Sequence, residues 1–556
     1  MPPSKNPITS SLVLAALAGI ARAAHAADGA VDVATPHEFS TQITAEDFAA
    51  HVQTLASDAF AGRAPDSVGE DRTTAYLREQ LERLGLQPAI GDSFFQDVPV
   101  IASTVDAARS HMDVAVGRAK HALKFGEDIV FATSTGQQEL RLSNSALVFV
   151  GYGIDAPELD WNDYAGVDVI GKTVVVLAGA PGAIRGTTWY SRFGYKLEEA
   201  ARQGAAAALV VHDEGDAGYS WDYVKTRASG TQFNLPLEDD PQPPTPVSAW
   251  ISGAAAEALF GAAGVSLRDV RSAAGKRGFH AAPVGDARMS VVIDSTVVGG
   301  RSHNVIAKLR GTRYPDEAIV YSAHWDHLGT HPKEPGDNIY NGAVDNATGV
   351  AALLEVAAQF TGTAAKPERS IVFLLPTLEE SGLLGSKYYT LHPAVPLAKT
   401  VADINFDALI PIGPARDFVV VGLGMSDLDD WVKPFVMRQD RVLAAESRSE
   451  KDAFFRSDHL SFARAGVPVL FMRGGTLARA GSDPSATWNA YGKLYHTPAD
   501  AFDPHWDLRG IVQDLEVSCA VGRKLASGHE WPNWHADSAF RATRDGSRAA
   551  AVVGLR

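Results

Sequence analysis

Short apolar runs that stop at a charged residue alternate along this chain with longer stretches whose apolar positions return every three or four residues. Residues 318–323, AIVYSA, make a β-branched run of strand length that ends abruptly at His324 and Asp326. A polar loop with glycines follows, then Asp345-Asn346, then Val350, Leu353, Leu354, Ala357 and Ala358 at helical spacing. That order sets the Asp345 carboxylate beside a helix N-terminus. The runs 370–375 and 401–406 repeat the pattern, the first leading to Glu379-Glu380 and the second stopping at Asp407. Strands interleaved with helices predict an α/β fold that delivers polar groups at the carboxyl ends of its strands.

Upstream, residues 44–84 carry a helical pattern interrupted at Gly62 and Pro65, and 94–100 read as a strand. Between 145 and 283 the texture changes to short β-rich runs, 146–150, 173–177 and 208–211, with glycine-rich turns and one helix-like stretch at 196–203. Strand-like alternation returns over 287–309. Beyond Asp407 come a strand at 418–421, a helix at 427–438, the segment FFRSDHLSFARAGVPVLF, a loop carrying Tyr495-His496-Thr497-Pro498, and a long helix at 507–527. The expected organisation is a leader over 1–26, a first part of the main domain over 27–140, an insert over 141–285, the main domain over 286–540, and a polar tail over 541–556.

Composition narrows the function classes. With 46% hydrophobic and 21% charged residues in 556, the chain has the balance of a globular protein of more than one domain. Its net charge of −16 argues against nucleic acid or an anionic membrane as partner. The single cysteine, Cys519, lies in a helical pattern and reads as a small buried apolar residue. Lys5, the apolar run 12–20 and Ala24-His25-Ala26 have the layout of a secretory signal. The run falls short of the ~20 residues a membrane span needs. The expectation is therefore an exported protein, periplasmic or secreted, beginning near Ala27 and without a membrane anchor. No G-x-S-x-G elbow supports serine hydrolysis, and His529-Glu530…His535 has the wrong spacing for a zinc helix, with Pro532 inside it.

One acid after one strand is ordinarily a solvated loop residue. Acids or histidines at three strand ends are a different matter, because converging carboxylates repel unless a cation compensates them. Histidine, Asp and Glu together suit zinc. His324-x-Asp326, the segment Asp345-Asn346-x-x-Gly349, Glu379-Glu380, Asp407 and Tyr495-His496-Thr497-Pro498 together resemble the aminopeptidase and glutamate carboxypeptidase family of co-catalytic dizinc exopeptidases. The resemblance implies a mixed-sheet zinc exopeptidase domain with helices on both faces. Gly151-Tyr152-Gly153, Asn162-Asp163-Tyr164, Gly171-Lys172 and GAAAALVV further resemble the β-rich protease-associated domain often inserted in it.

Carried over residue by residue, the resemblance implies two zinc ions per chain. His324 and Asp407 would hold one, Glu380 and His496 the other, and Asp345 would bridge them. Glu379 matches the general base and Asp326 the partner that orients the His324 ring. Asn346, Ser457 and Asp458 are expected near the substrate, or, for Ser457 and Asp458, as a helix cap. His327 and His331 match no motif position and read as solvated loop residues. The implied activity is an aminopeptidase acting on peptides. A carboxypeptidase of the same family would need a cationic pocket, for which Arg456 and Arg473 are the nearest candidates. The resemblance is also compatible with a glutaminyl cyclase relative and with a non-catalytic binding relative.

Overall fold

Strand Arg369–Leu375 is buried along its whole length, as a strand covered on both faces must be. In the computed structural model it runs parallel to Tyr314–Ser322, which is parallel in turn to Thr400–Asn405, and that strand to Val469–Gly474. Antiparallel strands flank this parallel centre, Ala282–Leu309 on one side and Asp417–Val421 on the other, so the sheet is mixed. Residues 37–184, 189–331, 336–446, 453–479 and 483–553 are described. The leader expected over 1–26 lies outside them.

Strand alternation sends neighbouring residues to opposite faces. Ile319, Tyr321, Ile371 and Phe373 enter a core with Phe48, Leu77, Leu353 and Leu515, while Ala318, Val320, Val372 and Leu374 enter another with Tyr389, Leu460 and Phe462. Helices therefore cover both faces. Each such side chain contributes roughly 1.5–3 kcal/mol by leaving water, and Phe373→Ala would cost roughly 3–5 kcal/mol. The first two helices begin where their sequence provides a cap: Thr44 Oγ1 accepts from the Asp47 N–H at 3.0 Å and Ser67 Oγ from that of Gly69 at 3.0 Å.

A second sheet lies where the insert is expected, and it takes in strands from outside 141–285. His111–Val116 pairs with residues 288–292 of the long strand Ala282–Leu309, and Ile129–Thr133 pairs with Val247–Ile251. Residues 111–133, expected in the main domain, thus belong to the insert's sheet. Their signal is weak because Ala119–Leu123, the partner of His111–Val116, is a short exposed strand. The insert also holds more helix than the one stretch expected. Phe193–Arg202 and Trp221–Ser229 cover one face, with Leu197 and Val224 in the core beside Val174, Val176 and Val210. Gly253–Ala262 and Leu267–Ala274 cover the other. The long strand joins the two sheets, since its residues 295–305 leave the insert to pair with Phe95–Val105.

The tail expected over 541–556 is a helix over Arg541–Val553. Arg544 anchors it, fully buried and donating to the carbonyls of Leu397 at 3.2 Å and Thr400 at 2.9 Å. Among the described residues no helix is long and apolar enough to cross a membrane.

Candidate metal centre

The register of the parallel strands brings their carboxyl ends to one edge. Ser322 pairs with Leu374 on one side and Asn405 on the other, so the residues just beyond these three meet. His324 Nε2 lies 3.5 Å from Asp407 Oδ1, 3.9 Å from Glu379 Oε2 and 3.4 Å from Asp345 Oδ1. A second imidazole arrives from the loop after helix Pro484–Leu494: His496 Nε2 lies 3.1 Å from Asp345 Oδ2 and 3.2 Å from Glu380 Oε1. The two oxygens of Asp345 thus face different imidazoles. Two triads of donors, His324 with Glu379 and Asp407 and His327 with Asp345 and Glu380, are each close enough to share one ion.

The donor set fits zinc. His324 Nε2 is buried with no hydrogen-bond partner among the described residues, although three carboxylate oxygens surround it. Once deprotonated, a nitrogen so placed is what a histidine ligand offers zinc. Burial opposes charge on His324, yet Glu379, Asp326, Asp345 and Asp407 raise its pKa well above the usual imidazole value. Burial likewise opposes charge on His496, and Glu380 and Asp345 raise it. The adjacent glutamates are driven apart. Burial, with Asp407, Glu380 and Asp458, pushes Glu379 well above the carboxylate range against the pull of His324. Glu380 falls well below it despite burial, held by His496 and His327.

Residues 304–519 match the model of peptidase family M28. Over that stretch the chain is similar to M28 peptidases. Over 212 residues it is 28% identical to leupeptin-inactivating enzyme 1 of Streptomyces exfoliatus, a match covering 37% of this chain and 44% of that enzyme. The chain thus spans less than half the length of this relative. A probable leucine aminopeptidase 2 of Aspergillus oryzae is 24% identical over 84% of this chain and 81% of its own. An aminopeptidase structure from Aneurinibacillus sp. strain AM-1 aligns with TM-score 0.49 and 20% identity, covering 88% of this chain and 95% of that one.

Within the matched stretch the residues expected as ligands lie close together as described, and several neighbours carry no signal in the sequence. Asp326 acts on two neighbours at once. Its carboxylate lies 3.7 Å from His324 Nδ1, and it accepts the backbone N–H groups of Glu379 at 3.1 Å and Glu380 at 3.4 Å. The same ring nitrogen of His324 lies 3.2 Å from the Asp326 carbonyl oxygen. His327, expected in solvent, is buried with Nδ1 2.8 Å from Glu380 Oε1. The sequence hides it because it lies one residue past the H-x-D pattern. His331 sets its ring 4.5 Å from that of Tyr340.

The residues expected near substrate are fully buried. Asn346 donates to the Phe406 carbonyl at 3.1 Å and accepts from the N–H groups of Gly349 and Ala408, tying the Asp345 loop to the strand end that carries Asp407. All three bonds run to backbone groups. Ser457 Oγ accepts from Asn405 Nδ2 at 2.8 Å, and neither Ser457 nor Asp458 caps the following helix His459–Arg464 through its side chain. Burial lifts Asp458 to about 7 against the pull of His324. Gly349 is explained by proximity, since a Cβ there would lie 2.2 Å from Asn346 Oδ1.

Two buried charges fix the loops. Arg63 donates to the carbonyls of Trp325 at 3.0 Å, Leu55 at 2.9 Å, Asn341 at 2.6 Å and Gly342 at 2.8 Å, pinning the His324 and Asp345 loops together. Burial lowers its pKa only to about 10, so it remains a cation at neutral pH. Asp500 accepts the backbone N–H groups of Val344 at 2.9 Å and Asp345 at 3.1 Å. One short segment, 496–500, therefore supplies an imidazole and holds the backbone of Asp345.

Proposed function

We propose that this protein is an exported zinc aminopeptidase that removes N-terminal residues from peptides, using two zinc ions and Glu379 as general base. The observation that carries the reading is Asp345, whose Oδ1 faces His324 and whose Oδ2 faces His496. A carboxylate shared in this way suits a bridge between two cations. His324 and Asp407 would hold one ion and Glu380 and His496 the other. His327 stands within reach of the second. Bound there, paired zinc would lower the pKa of water and polarise a carbonyl oxygen.

The chain's own residues divide the remaining work. Glu379 has its backbone held by Asp326, and its carboxyl oxygen Oε2 lies 3.9 Å from His324 Nε2, beside the ions that the site would hold. It takes a proton from the attacking water and returns it to the leaving amine nitrogen as the C–N bond breaks. Asp326, Asp500 and Arg63 hold the loops in register. The insert, read as a protease-associated domain, reaches the metal ligands, because Arg227 of the insert donates to the Glu380 carbonyl.

The M28 match and the aminopeptidase names of relatives favour attack at a free N-terminus. Residues 1–26, with their signal-like layout, support export. A panel of free-amine and N-acetylated peptides, with zinc analysis of the same sample, tests the reading. Hydrolysis restricted to free N-termini is expected. Trimming of N-acetylated peptides from their C-terminal end would replace it with a carboxypeptidase.

A further inference from the structure

The metal-facing nitrogen of His496 is accounted for by Asp345 and Glu380, but the imidazole has a second nitrogen. Nδ1 lies 3.2 Å from the phenol oxygen of Tyr223, a residue 273 positions away on the insert helix Trp221–Ser229. We infer that Tyr223 positions the His496 imidazole for metal binding, so that the insert completes one half of the metal centre. The inference rests on the dizinc reading above and adds a residue to it.

His496 needs such support more than His324 does. His324 stands two residues past a buried strand, with Nδ1 held by the carbonyl two residues further on. His496 sits on a loop with φ +57°, in the left-handed region that residues with a Cβ adopt at some cost. Its ring stacks on Tyr495 at 3.8 Å between centroids, which fixes the ring plane. Stacking leaves rotation within that plane free, and a directional bond at Nδ1 stops it. The chemistry also requires one sense for that bond. When Nε2 gives its lone pair to a metal, Nδ1 carries the proton and must donate, so Tyr223 accepts.

The same helix makes a second attachment, since Arg227, one turn on, donates to the Glu380 carbonyl. Tyr223 and Arg227 thus touch both proposed ligands of one ion, His496 and Glu380. No corresponding contact from this helix reaches His324 or Asp407 among the described residues. Loss of the phenol should therefore affect one ion and spare the other.

The test is zinc titration with a competing chromophoric chelator on wild type and Tyr223→Phe, which keeps the ring and removes the acceptor. Partners of this kind are typically worth about 10- to 100-fold in metal affinity. One zinc equivalent should weaken by that range while the other holds. The kcat should fall with little change in KM, and the zinc-free unfolding midpoint should stay. Equal affinity in variant and wild type, or a joint loss of both equivalents with a lowered midpoint, overturns the inference. Fewer than two equivalents in wild type would instead overturn the dizinc reading beneath it. A second measurement needs no variant at Tyr223: in zinc-loaded protein with ¹⁵N-labelled histidine, the His496 Nδ1 proton, assigned by its loss in His496→Gln, should be protected from exchange. Rapid exchange of that proton with solvent also overturns the proposal.

Discussion

The two halves of the proposed metal centre are built differently. On one side, His324 and Asp407 stand two residues beyond adjacent parallel strands, and their positions follow from the register of a buried sheet. On the other, His496 comes from a loop and Glu380 from a turn, and their placement depends on Asp326, Asp500 and a helix of the insert. A half-site fixed by a sheet inherits the rigidity of the core. A half-site fixed by side chains is held by contacts that can be altered one at a time.

The sharpest way to break the comparison is at the adjacent glutamates, which belong to opposite halves. Glu379→Gln keeps shape and removes the proton acceptor. The kcat should fall by at least 10²- to 10⁴-fold with both zinc ions retained. Glu380→Gln should lose metal instead. Parallel metal analysis and kinetics on the two variants would show the roles exchanged if the losses are reversed. His496→Ala should next release one zinc equivalent and keep the other, with activity falling sharply. Full occupancy with near-normal turnover would remove His496 from the site. His327→Asn should weaken the same equivalent by about 10- to 100-fold if it supports Glu380 as a neighbouring partner. Competition titration reads that change directly.

Smaller effects sharpen the account of how the loops are held. Gly349→Ala forces a methyl against Asn346 Oδ1 and should cost roughly 1–3 kcal/mol, visible as a lower urea midpoint. A pH effect is expected from a pair outside the site. His303 Nδ1 lies 2.7 Å from Glu70, which raises the imidazole's pKa above its usual value against partial burial. A raised folded pKa stabilises fully below the unfolded value of about 6.5, and this contribution fades as pH rises through the folded value. The stability gap between wild type and His303→Gln should therefore be largest near pH 5.5 and shrink above neutrality. A gap that widens with pH would contradict the pairing.

How much of this is legible in the sequence differs between the halves for the same reason. Strand-end residues such as His324, Glu379 and Asp407 announce themselves, because an apolar run of fixed length ends where they begin. His496 carries no such signal and is marked only by its Y-H-T-P surroundings. Tyr223, Arg63 and Asp500 act through contacts made far along the chain, mostly to backbone groups, and no periodicity marks a side chain whose partner is a distant carbonyl or N–H. His327 reads as a solvated loop residue because it falls one position outside a motif. The insert's first strands escape the pattern for a related reason: Ala119–Leu123 is exposed at every residue but its last, so its apolar alternation is faint.

The claim that joins the two halves is the bridge at Asp345, and it is tested most directly by counting zinc. Purified full-length protein, loaded with zinc and dialysed free of excess, should hold two equivalents per chain by elemental analysis. A single equivalent, or none, would contradict the paired centre.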